Sequence, residues 1–161
     1  KLSFKMKTYN ILSIGEFKRE IAKISRLIGI DPGKKNIGIA ICDENKIVAT
    51  PLKTIQNVKF EILSKQINQI IEENSIKGIV VGNPLNMDGT VGKQSKSALN
   101  FAKKLSTYTS VPIIMWDERL SSQGSFKITQ YLDTNISSKI KKLDENSAAF
   151  ILQGFIDHLS K

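Results

Sequence analysis

Cysteine and histidine are nearly absent from this chain, whose 161 residues include one of each, Cys42 and His158. A lone cysteine forbids an internal disulfide and suits a reducing cytoplasm. Without Cys and His clusters the usual zinc sites are excluded. A Cys–His catalytic pair has little support either. Cys42 ends an apolar run that reads as a buried strand, and His158 lies on what reads as a terminal helix, where packing or surface exposure is its ordinary role. Long apolar runs are missing too. No stretch approaches the roughly eighteen residues that a membrane-spanning helix needs. The run behind Lys1, Lys5 and Lys7 breaks at Ser13 and Gly15, too early for a secretory core. The expectation is a soluble, cytoplasmic protein with no membrane partner.

Acidic side chains are also in short supply. Fifteen Asp and Glu stand against twenty-four Lys and Arg, a formal charge of +9 and a pI near 9.6. That excess favours polyanionic partners through counterion release, although a lysine-rich solvated surface has the same composition. The remaining composition, 40% hydrophobic and 24% charged, is that of an ordinary globular protein and argues against general disorder. The length fits one domain whose core needs neither disulfide nor structural metal.

Periodicity divides the chain. Ser13 and Glu16 form an S-x-x-E capping box, and Ile14, Phe17, Ile21 and Ile24 follow at helical spacing. This predicts a short helix in an N-terminal extension, residues 1–25, ahead of a domain over 26–161. Leu27 to Ile30, Ile37 to Cys42 and Ile47 to Leu52 are brief apolar runs split by polar turns, the pattern of a three-stranded antiparallel meander. Phe60, Leu63, Ile67, Ile70 and Ile71 mark an amphipathic helix, and Gly78 to Gly82 then reads as a buried parallel strand. A loop from Asn83 to Gly92 leads to a helix through Ala98, Phe101, Ala102 and Leu105, and Val111 to Trp116 is a second parallel strand. Weak helical character follows to Leu132, and Asp133 to Lys142 reads as a polar loop. A last helix runs from about Asp144 to Leu159 on the face Ala148, Ile151, Leu152, Phe155 and Ile156. The sum is an α/β fold with a mixed five-stranded sheet flanked by helices.

Three acidic signatures punctuate this pattern: Ile30-Asp31-Pro32-Gly33, Trp116-Asp117-Glu118-Arg119 and Leu143-Asp144-Glu145-Asn146. One sheet edge would gather them into a metal site. Hydrolysing a phosphodiester needs an activated water and a stabilised leaving oxygen, which two hard cations about 4 Å apart supply when carboxylates hold them. Asp31 ends a strand where Gly33 lets the backbone turn, which suits a bridging ligand and equally a simple turn Asp. Strand alternation puts only one of Asp117 and Glu118 on Asp31's face. Asp144 reads as a ligand or as a helix N-cap, with the small Ser147-Ala148-Ala149 allowing that helix to approach the sheet. Asp43 and Glu145 are auxiliary candidates, more ordinary as solvated acids. Lys34, Lys35, Lys93, Lys96, Lys139, Lys141 and Lys142 are candidates for phosphate contacts or plain surface charges.

The stretch Leu27-Ile28-Gly29-Ile30-Asp31-Pro32-Gly33-Lys34-Lys35-Asn36-Ile37-Gly38-Ile39-Ala40 resembles the first hairpin of the YqgF/RuvX family of pre-16S rRNA nucleases and Holliday-junction resolvase homologues. The resemblance continues through Val80 to Gly89, Trp116 to Ser122, Leu143 to Ala149 and Ile151 to Gly154, four motifs in order across roughly residues 26 to 159. It implies an RNase H-like fold and hydrolysis dependent on Mg2+ or Mn2+, two ions held by Asp31, Glu118 and Asp144. It also implies trimming of the 5′ end of pre-16S rRNA, with the small ribosomal subunit precursor as a possible assembly partner. Glu118 rather than Asp117 matches the family's catalytic acid. Asn36 stands where the family has Arg, Asn83 where it has Leu and Ser122 where it has Thr, which bears on substrate contacts and leaves the acids intact. Branched DNA is the alternative substrate, and binding without cleavage the alternative function. An actin-like or sugar-kinase-like ATPase shares the strand followed by Asp-x-Gly, but 161 residues leave no room for its second domain.

Overall fold

The computed structural model describes residues 9–86, 88–118 and 136–161, the last stretch by its backbone alone up to residue 145. The elements run β1 (Ile11–Leu12), α1 (Ile14–Glu20), β2 (Arg26–Pro32), β3 (Asn36–Cys42), β4 (Ala49–Gln56), α2 (Phe60–Glu73), β5 (Ile76–Asn83), α3 (Lys93–Ser106), β6 (Ile113–Asp117) and α4 (Ile136–Leu159). One sheet holds the described strands in the order β1-β6-β5-β2-β3-β4. The meander pairs antiparallel, with Asp31 opposite Gly38, while β5 lies parallel to β2 with Ile30 beside Val81. β5 and β6 are parallel as well, and their last residues, Asn83 and Asp117, stand side by side. Parallel strands joined by helices bring their carboxyl ends to one edge, where open α/β sheets form sites.

Strand alternation builds two cores. Ile28, Ile30, Ile39, Ile79 and Val81 face α2 and α3, whose Leu63, Ile67, Phe101 and Leu105 complete a mainly aliphatic layer. Leu27, Ala40, Val80, Ile114 and Trp116 face the other way, onto Phe17 of α1 and Ala148, Leu152 and Phe155 of α4. β5 is buried on both faces except at the exposed Lys77 and the half-buried Asn83 at its end, as befits a central parallel strand.

The structure corrects the expected strand count from five to six. Ile11 and Leu12 pair in parallel with Ile113 and Ile114 at the sheet edge, a ladder too short to leave a periodic signal. Asn10 locks this edge through its side-chain amide, which donates to the carbonyls of Thr109 and Val111. The capping box at Ser13 is present, but α1 stops at Glu20, before the predicted Ile21 and Ile24. Ile24 is exposed, and the carbonyls of Ala22 and Lys23 are capped by the Lys46 ammonium at 3.0 and 2.7 Å rather than by further helix. The last helix begins at Ile136, so the stretch 136–142 expected as loop is helical, and Asp144 lies two turns inside. Its polar content hid a helical repeat, Ile136, Ile140 and Leu143. The weak helix expected between Arg119 and Leu132 lies outside the described residues.

Candidate active site

Asp31 stands one residue from the end of β2, and Glu118 follows the last residue of β6. Both share the alternation phase of Leu27 and Trp116, so both belong to the α4 side of the sheet; Asp117 has the opposite phase. Between them runs β5, which at this level carries Gly82. A side chain there would place its Cβ 2.5 Å from Glu118 Oε1 and into Ile151 of α4. The bare backbone is therefore what lets the Glu118 carboxylate cross β5 toward Asp31.

The two acids line one pocket of about 410 Å3 with Lys34, Lys93, Gln94 and Ser97. Burial pushes the Glu118 carboxyl up to about 7, and the negative charges of Asp31 and Asp117 push the same way. A half-buried acid facing another acid has a standing demand for positive charge. Two hard oxygen donors at the mouth of a pocket fit a divalent cation of the magnesium class. Among the described residues no three His, Cys, Asp or Glu side chains gather closely enough to hold a metal ion. The side chain of Asp144 lies outside the described residues. Its backbone position is one turn before Ala148, whose carbonyl oxygen would lie 2.8 Å from a Cβ placed at Gly29. The small residues around 148 thus do bring α4 close over β2. Because Asp144 is well within the helix, N-capping is not its role.

The rim is built from turns that hold themselves. In the β2–β3 turn, Asn57 donates its side-chain amide to the Gly33 carbonyl at 2.9 Å and its backbone N–H to the Lys35 carbonyl at 2.9 Å, and Lys34 and Lys35 project into solvent. At the end of β5, Ser95 Oγ donates to Asn83 Oδ1 at 2.5 Å, tying the strand to the first turn of α3. This gives Asn83 a structural use that an apolar residue there would not have. Gly89 takes a left-handed φ of 87° inside a turn closed by its own N–H to Asn86 and by Thr90 N–H to Asp88.

Of the lysines expected at phosphate, Lys34 and Lys93 line the pocket, while Lys35 and Lys96 are exposed nearby in sequence. The side chains of Lys139, Lys141, Lys142 and Glu145 lie outside the described residues. Asp43 sits at the far end of β3 from the pocket and organises the β3–β4 turn. Burial works to raise its pKa, but N–H groups of Val48, Ile47 and Asn45 donating to it prevail and hold it below the usual range. Asn36 is exposed at the start of β3, opposite Gln56. Gln94 and Ser97 escaped notice in the sequence; Gln94 is next to Lys93 and Ser97 one turn beyond it, and no local pattern marks either as lining a pocket. Cys42 is buried, receives an N–H from Leu27 and has its thiol pKa pushed up by burial, and His158 packs its ring 5.2 Å from Trp116.

Residues 25–158 match a family model described as RuvX, Holliday junction resolvase. A curated protein of Pelagibacter ubique, named "Putative pre-16S rRNA nuclease", is 45% identical over 150 residues, covering 93% of this chain and 99% of its own length. One of the same name from Ruegeria pomeroyi is 41% identical over 147 residues, covering 91% and 96%. Among solved structures, Thermus thermophilus RuvC in complex with a Holliday junction substrate superposes with a TM-score of 0.59 at 11% identity, covering 84% of this chain and 95% of that one. The yeast mitochondrial Holliday junction resolvase gives 0.52 at 14% identity, covering 87% and 81%. At such identities the likeness concerns the fold, which is RNase H-like.

Proposed function

This chain belongs to the RuvX family, and from that premise we propose that it is a metal-dependent nuclease that hydrolyses phosphodiester bonds, acting in 5′-end processing of pre-16S rRNA. The observation that carries the reading is the convergence of Asp31 and Glu118 in one pocket, where burial and the neighbouring negative charges of Asp31 and Asp117 push the Glu118 carboxyl up to about 7. Asp31, Glu118 and Asp144 are its ligand set, the last on the strength of its place one turn before the Gly29 contact. Two Mg2+ or Mn2+ ions bound there would supply an activated water and charge neutralisation at the leaving oxygen. The protein's own share is positional. Asp31, near the end of β2, and Glu118 would hold the ions by their carboxylate oxygens, and Glu118 would bind them in its deprotonated form. Lys34 and Lys93, which line the pocket, are the lysines to draw in the scissile phosphate, with the exposed Lys35 and Lys96 as further phosphate contacts; Lys139, Lys141 and Lys142 are assigned the same role on their sequence alone. Among the described residues no helix is long and apolar enough to cross a membrane, in keeping with work on cytoplasmic RNA and small-subunit precursors.

The test is a purified Asp31→Asn protein on a pre-16S rRNA fragment with magnesium. At least a hundredfold loss of cleavage with RNA binding retained is expected; undiminished cleavage would remove the mechanism. The family description favours a second reading, resolution of branched DNA. Faster cleavage of a synthetic four-way junction than of the rRNA precursor by the same preparation would make that the function.

A further inference from the structure

We propose that the outer face of α3 is a track for a single-stranded stretch of the substrate, running from the acid pocket to a base-stacking platform formed by Tyr9 and Tyr108. The inference rests on nucleic acid being the partner, and it adds a second binding site distant from the acids. Its first support is charge. The fourteen residues of α3 include Lys93, Lys96, Lys103 and Lys104 and no acid, whereas the neighbouring α2, equally long, carries Glu61, Glu72 and Glu73 against one lysine. Lys93, Lys96, Asn100 and Lys104 are exposed and recur at three- and four-residue steps, one continuous stripe. Cations in the first turn oppose the helix dipole, so this placement works against helix stability and in favour of an anion lying there.

The second support is what lies at each end. The first turn of α3 lines the acid pocket. The last turn opens onto two concavities, of about 330 and 560 Å3, and Tyr9, Thr107 and Tyr108 line both. Tyr9 is 36% and Tyr108 44% exposed, and the two rings line the same concavities, so an incoming base could reach both faces. The Tyr108 ring rests against Phe60 with centroids 5.6 Å apart, Phe60 meets Phe101 at 5.5 Å, and Asn68 donates to the Tyr108 carbonyl at 3.1 Å, so the platform is braced before any ligand arrives. Lys103 Nζ stands 5.7 Å from the centre of the Tyr9 ring, placed to exchange that exposed cation–π contact for a phosphate when a base takes the ring. Aromatic faces flanked by lysines accept unpaired bases with little regard to sequence. α3 spans about 21 Å, room for about six nucleotides at the rise of a stacked strand.

The experiment is fluorescence anisotropy with the full chain, labelled single-stranded RNA of increasing length, and EDTA in place of divalent cations so that binding is read without cleavage. Affinity should climb up to about six nucleotides and then level off. Tyr9→Ala and Tyr108→Ala should each weaken binding of the longer strands about tenfold. Tyr108→Phe, which keeps the ring, should bind as wild type. Lys103→Gln with Lys104→Gln should lower the slope of log affinity against log salt by about 1.4, two single-strand phosphate contacts. Both alanine variants binding within twofold of wild type while melting as folded proteins, or an unchanged salt slope in the lysine pair, overturns the track. Failure of the nuclease reading shows elsewhere, as undiminished cleavage by Asp31→Asn.

Discussion

The two faces of the sheet bury their apolar residues by different means. Under α2 and α3 the layer is built from branched aliphatics, eight of them isoleucines on the strands alone. Under α4 and α1 it is built from three rings and several alanines, with Phe155 edge-on to both Phe17 and Trp116 at 5.4 Å and Ala148 and Ala149 fully buried. The aliphatic face tolerates small rearrangements because interchangeable methyl groups fill it. The α4 face is dimensioned to hold a helix at a fixed height, since Gly29 leaves no room for even one more carbon beneath Leu152 and Ala148. Asp31 and Glu118 emerge on that tight face. The lesson is that precision is concentrated where the acids have to meet.

Mutations should expose the contrast, beginning with the largest effect. Phe155→Ala removes the ring shared by both aromatic contacts and should cost about 3–5 kcal/mol in urea unfolding. Gly29→Ala should cost about 1–3 kcal/mol, because its Cβ would sit 2.7 Å from Leu152 Cβ. It should also depress metal-dependent cleavage more than its stability loss explains, since the displaced helix carries Asp144. Equal losses of stability and activity would mean that the height of α4 is immaterial to the site.

The acid pair itself predicts a pH dependence. Glu118 titrates at about 7 in the folded chain against an ordinary 4.5, so the folded state holds this proton more tightly than the unfolded one. Its contribution to stability is complete below pH 4.5 and is lost as pH rises through 7. Without divalent cations, unfolding free energy should therefore fall between pH 5 and 8 by roughly 1–2 kcal/mol after allowance for solvent screening. Glu118→Gln should flatten this component of the profile, and magnesium should diminish it in the wild type. A wild-type profile matched by the glutamine variant would place the proton elsewhere. On the aliphatic face, Ile79→Val should cost only about 0.5–1.5 kcal/mol and leave cleavage unchanged.

The first two strands of the meander and the two parallel strands were legible because their residues run apolar in blocks bounded by polar turns, and α2 and α3 because their apolar residues recur every three or four; the third meander strand, expected over Ile47 to Leu52, runs Ala49–Gln56 and leaves Ile47 and Val48 exposed before it. Strand β1 was illegible, being two residues whose partner lies a hundred positions away. The start of α4 was obscured because serines and lysines there suggest a loop while Ile136, Ile140 and Leu143 keep the helical period. For the site, alternation already said that only one of Asp117 and Glu118 could share Asp31's face, and the family resemblance singled out Glu118. No local pattern announced Gln94 and Ser97, whose place in the pocket follows from where α3 begins.

Amino-acid order by itself determined which residues turn inward, that the chain is strongly basic, and that acids punctuate strand ends, because periodicity, charge and turn preference are local properties. Only the tertiary structure decided that Asp31 and Glu118 share a pocket, that Gly82 leaves the opening between them, and that α3 joins this pocket to a pair of exposed tyrosines. Those are distances between residues far apart in the chain. They are set by parallel strand register and by how closely helices pack on the sheet, which no stretch of sequence encodes alone.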